Sequence, residues 1–447
     1  MATRTTRSND DEPNGDSSAR RERTPRFLIR GGAIVALICA GIVASVFIAG
    51  RFPGDSMDIA WEAPADGTVL DQVNGTQPYD SDGTLLYDGD GSWLAGDTLV
   101  RSRSYVATGH DAGTGKQVWE YWPPRNSKIC ATKADVDQSV MVVTRDDENR
   151  PASDEQQLCT TLAAVDMKNG REIWRTSIPA LDRTRRFGNR ERAQVTAGGG
   201  LTVLTHQGLR AVDVRTGTPR WTAAVPPNCV PAHALPAVRH VGALLACGGS
   251  KREPNGIAKD AELHAAAFDP ATGALLWSTP MGDRQPVVWG QGGAHLVSAA
   301  PLVVDDNSAY RSFSRDGRPN PPISSRSLSI GTVAVDDTRL YSIGGRYVKG
   351  VGTRHHAMAF DLATGRQVWK NDLDTRIGVF HLQDGRLTVV GERRDLLMIP
   401  AVRLYLLDPA TGEERDVRRF HYGEDPVAEA FEYKGLLIVG GTAYKRS

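Results

Sequence analysis

Beyond residue 58 the chain alternates short apolar runs with polar breaks. LTVLTHQG, GALLACGG, RLYSIGG, RLTVVGE and GLLIVGG are rich in β-branched or aromatic residues and bounded by Gly, Asp or Asn. Runs of about four to eight residues with that composition predict strands. No helical period longer than about a turn or two stands out in this region. The exception lies upstream. Gly31 to Gly50, GGAIVALICAGIVASVFIAG, carries no charge. As a helix it would span about 30 Å, the thickness of a bilayer core, and it has no polar face for a globular surface. It predicts one transmembrane helix.

The strands belong to a repeat. AVDMKNGREIW ends at Trp174, AVDVRTGTPRW at Trp221, AFDPATGALLW at Trp277 and AFDLATGRQVW at Trp369, each reading A-x-D-x-x-[TN]-G-x-x-x-W. HDAGTGKQVW, ending at Trp119, fits the same frame. So does LLDPATGEERD, with Asp416 where the others have Trp. A degenerate copy, SFSRDGRPN with its turn at Gly317, falls midway between Trp277 and Trp369. The turn glycines are Gly115, Gly170, Gly217, Gly273, Gly317, Gly365 and Gly412. Each D-x-x-[TN]-G is a turn signal, with Gly supplying positive φ and Asp or Thr bonding local backbone. It joins one strand to the next, so each unit of about 45 to 55 residues offers four strands, the period of a propeller blade.

Blade number follows from the two ends. MDIAWEAP places Trp61 like a repeat's last strand with nothing before it, and VAEAFEYKGLLIVGGTAYKRS reads as first strands with nothing after them. Pairing the two closes the ring and removes two exposed edges. The expectation is therefore an all-β, eight-bladed β-propeller, preceded by a disordered N-terminal tail and one transmembrane helix. A seven-bladed ring is the alternative if the eroded unit around Gly317 is not a blade. The boundaries expected are 1–30 tail, 31–50 transmembrane signal-anchor, 51–57 linker and 58–447 propeller.

These residues resemble the tryptophan-docking motif of the pyrroloquinoline-quinone (PQQ) repeat. That repeat occurs in quinoprotein dehydrogenases and in the propeller lipoprotein of the bacterial outer-membrane barrel-assembly machine. The resemblance covers roughly residues 58–447. It implies that Trp61, Trp119, Trp174, Trp221, Trp277 and Trp369 are structural girdle residues, each packed on a neighbouring blade's turn at Gly115, Gly170, Gly217, Gly273, Gly365 or Gly412. A large aromatic with one N–H donor suits an apolar seam with a carbonyl at hand. Dehydrogenases of the family carry adjacent cysteines, a calcium site and a catalytic Asp, whereas this chain has no Cys-Cys pair. No catalytic residue and no bound cofactor are expected.

Charge and cysteine usage place the domain. Lys plus Arg and Asp plus Glu both number 53, and no basic run is interleaved with aromatics, so nothing suggests a nucleic-acid surface. The tail, rich in Ser, Thr, Asp and Arg, cannot bury enough apolar area to order itself. Arg20, Arg21, Arg23, Arg26 and Arg30 crowd the apolar segment, and Asp55 and Asp58 follow it. The positive-inside rule then puts the tail in the cytoplasm and the propeller outside the plasma membrane on a single-pass anchor. No small-x-small site closes the segment, which favours an uncleaved signal-anchor. Cys130, Cys159, Cys229 and Cys247 remain on the exported side, where disulfides are expected. They fall in the two longest units, which suggests internal staples 130–159 and 229–247.

Other chemistry is sparse. Asp80, Asp82, Asp88 and Asp90 in YDSDGTLLYDGDGSW are candidate calcium ligands, although two D-G hairpin turns explain them equally well. His355 and His356 would point to opposite faces of a strand and could not share a metal, and a solvated loop suits them better. No metal site is expected. The functional expectation is a membrane-tethered binding or scaffold module that engages another envelope protein or envelope ligand. The alternative is a quinone- or metal-dependent dehydrogenase-like enzyme.

Overall fold

In the computed structural model the chain is described over residues 55–63 and, with interruptions, 91–446; the longer interruptions are 146–157, 183–193, 250–259, 283–293, 395–399 and 421–429. The tail 1–30, the apolar segment 31–50 and the four candidate calcium ligands lie outside the described residues. Among the described residues no helix is long and apolar enough to cross a membrane.

Eight four-stranded antiparallel blades follow one another in sequence order. Seven are continuous: 91–121, 129–182, 194–222, 229–280, 295–324, 328–373 and 376–420. The eighth is composite. Its first three strands are Ala430–Tyr433, Leu436–Val439 and Thr442–Arg446, and its outer strand is Asp55–Glu62, paired antiparallel through Met57↔Arg446 to Glu62↔Thr442. That strand starts inside the span read from sequence as a linker. Its first residues also pair in parallel with the seventh blade, Asp55↔Arg418 and Ser56↔Arg419. First strands of successive blades neighbour one another, so they line the ring's centre.

The apolar interior is divided among the seams. One cluster joins the first and second blades (Val100, Trp119, Met141, Val165), another the sixth and seventh (Tyr341, Trp369, Val389, Tyr405), and the last the eighth and first (Trp61, Leu99, Phe431, Ile438). Each of the eight seams has its own cluster, so every blade is stabilised by two neighbours. This is how a sheet with two apolar faces is buried without helices.

Tryptophans lock six of these seams. A Cβ placed on Gly115, Gly170, Gly217, Gly273, Gly317 or Gly412 would lie 2.4–2.6 Å from the indole of Trp61, Trp119, Trp174, Trp221, Trp277 or Trp369 respectively. Each pair joins the outer strand of one blade to the turn of the next. Four indoles also donate to a turn carbonyl: Trp119 to Met167 (3.0 Å), Trp174 to Val214 (2.8 Å), Trp221 to Pro270 (2.8 Å) and Trp369 to Pro409 (3.0 Å). Gly170 has φ 70°. Gly170→Ala therefore meets both left-handed strain and the Trp119 ring, and should cost about 2–3 kcal/mol. A thermal midpoint unchanged in that variant would contradict the seam's role.

The first residue of the motif is explained by register. Trp174 pairs across the sheet with Ala164, Trp221 with Ala211, Trp277 with Ala267, Trp369 with Ala359, Trp119 with Gly109 and Trp61 with Ala443. A small side chain there leaves room for the ring to lie across the strand; a Cβ on Gly109 would meet Trp119 at 2.1 Å. Where Asp416 replaces Trp, its partner is Leu406. The register slips one residue before every docking position, a β-bulge that aims the indole at the next blade.

Candidate docking face

Strands alternate in direction, so connections leave the ring on two opposite faces. One face carries the turns between first and second strands and between third and fourth. These are short, with the connection 313–322 of the fifth blade as the exception. The other face carries the connections between second and third strands and between blades. All the remaining long connections leave from it: 63–90, 146–157, 183–193, 248–261, 281–294 and 421–429. Loops on a rigid scaffold are where binding groups concentrate.

The short-turn face is tied down locally. Asp111 Oδ1 accepts from the Gly113 and Thr114 amides and from the Thr114 hydroxyl (3.2, 2.9 and 2.8 Å), and Gly115 N donates to Asp111 O at 2.8 Å. The arrangement recurs at Asp213, Asp269, Asp361 and Asp408. A bond from the Arg220 guanidinium holds the Asp213 carboxyl down at about 2. Hydroxyl bonds from Thr272 and Thr364, and the Arg415 guanidinium, lower Asp269, Asp361 and Asp408 in the same direction.

Folded values below the unfolded one, about 3.9, mean that the unfolded chain binds more protons between them. Stability from these turns is present above pH ~4 and lost as pH falls towards ~2. The thermal midpoint should be lower at pH ~3 than at pH ~6, and Asp213→Asn should flatten part of that slope. A slope unchanged by the substitution would contradict the assignment.

Cysteines brace the loop face. Cys229 opens its strand, Cys247 closes the next, and the two are register partners and disulfide-bonded. The bond ties the start of the blade's first strand to the end of its second, the point from which connection 248–261 leaves. Cys130, in the second blade, is disulfide-bonded too. It sits near the loop-face end of Ile129–Asp135, in the sheet whose third strand begins at Leu158 beside Cys159; the Cys159 side chain is outside the described residues.

The two braced blades share more than cysteines. Pro123-Pro124 precedes Cys130, and Pro226-Pro227 precedes Cys229. A non-glycine residue at positive φ follows each proline pair, Arg125 at 60° and Asn228 at 63°. Sequence reading found the cysteines but not this shared lead-in, whose signal was the repeated Pro-Pro. Trp122, 38% exposed, stands beside the first of them.

Titratable groups are scattered rather than convergent. Burial drives His233 on the fourth blade's first strand down to about 4, with His295 adding repulsion. Tyr310 is raised by burial and by Asp305. His355 and His356 lie within the strand Gly352–Asp361 rather than in a solvated loop, and the His356 ring is buried against Gly344. The missing Cβ of Gly344 makes the space, a signal that adjacent histidines alone do not carry. Among the described residues no three His, Cys, Asp or Glu side chains could hold a metal.

A family model described as outer membrane protein assembly factor BamB matches residues 55–240 and 259–421. BamB from Moraxella catarrhalis is a similar solved structure, 16% identical with TM-score 0.45, covering 79% of this chain and 95% of that one. Quinohemoprotein alcohol dehydrogenase from Comamonas testosteroni is 11% identical with TM-score 0.45, covering 80% and 72%. Sqt1 of Saccharomyces cerevisiae is 8% identical with TM-score 0.47, covering 80% and 96%. No curated protein matches.

Proposed function

The chain belongs to the BamB family of PQQ-like repeat propellers, and on that premise we propose that it is a non-catalytic scaffold that binds another envelope protein through its loop-bearing face. One observation carries the reading. All but one of the long connections join strand ends on one side of the ring, and a disulfide fixes the strand end from which one of them leaves. A fixed strand end restricts how its loop begins, which lowers the ordering cost of association. The non-catalytic part is supported by the sequence, which lacks the adjacent cysteines of quinone-binding relatives.

Membrane tethering belongs to the same proposal and rests on the uncharged segment 31–50 and the arginines before it. Retention in the membrane fraction after alkaline extraction, lost on deleting 31–50, is the expected result.

A photo-crosslinking residue at Trp122 or Glu262, both exposed at the loop-face ends of their blades, should capture a partner in intact cells. The same probe at Lys168, on the opposite face, should not. Capture from Lys168 alone would overturn the assignment. Dye reduction by alcohol after incubation with PQQ and calcium would replace the scaffold with an enzyme.

A further inference from the structure

The propeller is entered from its short-turn face. Asp55–Glu62 is the eighth blade's fourth strand, and fourth strands run from the short-turn face to the loop face. Its antiparallel partner Thr442–Arg446 runs the other way, with Met57 opposite Arg446 and Glu62 opposite Thr442. Only Arg51, Phe52, Pro53 and Gly54 separate Asp55 from the uncharged segment that ends at Gly50. Five Cα steps reach at most about 18 Å. The eight-residue strand rises about 23 Å from one face towards the other. With the loop face against a bilayer, Asp55 would stand at that height above it, out of the linker's reach.

Exposed apolar side chains gather at the same end. Among the described residues, six of the eight large ones that are exposed lie there, and Trp122 alone lies at a loop-face end. Val136 (42% exposed) and Val238 (77%) sit on turns between first and second strands. Val118, Ile173, Leu276 and Val368 are each second in their outer strands, just past the turn from the third. First-to-second turns surround the central opening, so Val136 and Val238 meet a flat surface only when the face, rather than the rim, lies on it. Exposed charges on this face are of both signs, Lys168, Arg215 and Arg239 beside Asp137, Asp337 and Glu413, so no single-sign field forms.

We propose that the short-turn face rests on the lipid surface of the anchoring membrane, with Val136 and Val238 inserted among the headgroups. This rests on the membrane tethering proposed above. Two valine tips bind a bilayer weakly by themselves, but a four-residue tether holds them at high effective concentration, and a weak contact then sets the orientation. The loop face points away from the membrane, and its partner is engaged from the distal side.

The test uses the full chain in mixed phosphatidylcholine and phosphatidylglycerol vesicles, with a fluorescent amino acid at position 168 or 262 and a nitroxide on the lipid headgroup. Quenching should be about threefold or more stronger at 168, on the short-turn face, than at 262. Val136→Asp/Val238→Asp should lower the quenching at 168 by about twofold or more, with the thermal midpoint unchanged because both side chains are exposed. Equal quenching at the two positions, or quenching at 168 untouched by the double substitution, would overturn the proposal. Flotation with the vesicles reads the tether separately. A chain that does not float fails the tethering, whereas one that floats with position 262 quenched fails the orientation alone.

Discussion

Deleting residues 430–447 should abolish cooperative unfolding rather than trim the fold. These residues are three of the eighth blade's four strands. With them go Phe431, Leu437, Ile438, Val439 and Tyr444, all buried in the seams to the seventh and first blades. At about 2 kcal/mol for each large apolar side chain, the loss is roughly 10 kcal/mol, which spans the whole stability of an ordinary domain. Trp61 and Met57 would also lose their sheet partners, and the first and seventh blades would each present a bare apolar face. Calorimetry should show no sharp endotherm. A deletion variant that still melts cooperatively within a few degrees of the parent would mean the ring does not depend on its closing blade.

The closure explains the irregular member of the repeat. The eighth blade has no continuous turn between its third and fourth strands, because these come from opposite ends of the chain. A tryptophan at position 416 would have no glycine turn to cover. Asp416 sits there instead, bonded to Arg418 at 2.9 Å, and the seam is stitched by the backbone of Asp55 and Ser56 against Arg418 and Arg419. Tyr433 Oη and Lys434 Nζ both reach Asp97 across the seam to the first blade, at 2.6 and 3.1 Å, and Ala63 N donates to Gly441 O at 2.8 Å. Trp61 Nε1, alone among the docking indoles, is buried without a hydrogen-bond partner among the described residues.

Most of this architecture was legible because the blade's constraints are local in sequence. A turn glycine, its Asp and its Trp lie within one eleven-residue motif, so Gly170 and Trp174 announce both a turn and a docking residue. What the motif does not announce is the partner, since Trp174 covers Gly217 of the next blade. The fifth blade shows the limit more sharply. Gly365 was expected under an indole and lies under Pro321 and Pro322 carbonyls, a substitution made by backbone, which no residue type encodes. The bulges are likewise a matter of register. The loop-bearing face was hidden for another reason: a connection's face depends on strand parity, which requires every strand to be counted correctly.

The buried ion pair between the first and second blades should be the most sensitive point away from the closure. Arg145 has no exposed side-chain area, and its guanidinium lies 2.7 Å from Glu172 Oε2, with Glu172 24% exposed. Tyr121 Oη, from the first blade, donates to the same carboxylate oxygen at 3.2 Å and is also contacted by Arg145. Glu172→Ala removes a carboxylate partner from a fully buried cation and should cost about 3 kcal/mol. Removing the charge instead of its partner reverses the logic. Arg145→Met/Glu172→Leu fills similar volume with apolar atoms and should recover most of that loss, because desolvating two charges roughly cancels their attraction. A double variant as unstable as Glu172→Ala would show that packing geometry, rather than the lost charge pairing, sets the cost at this seam.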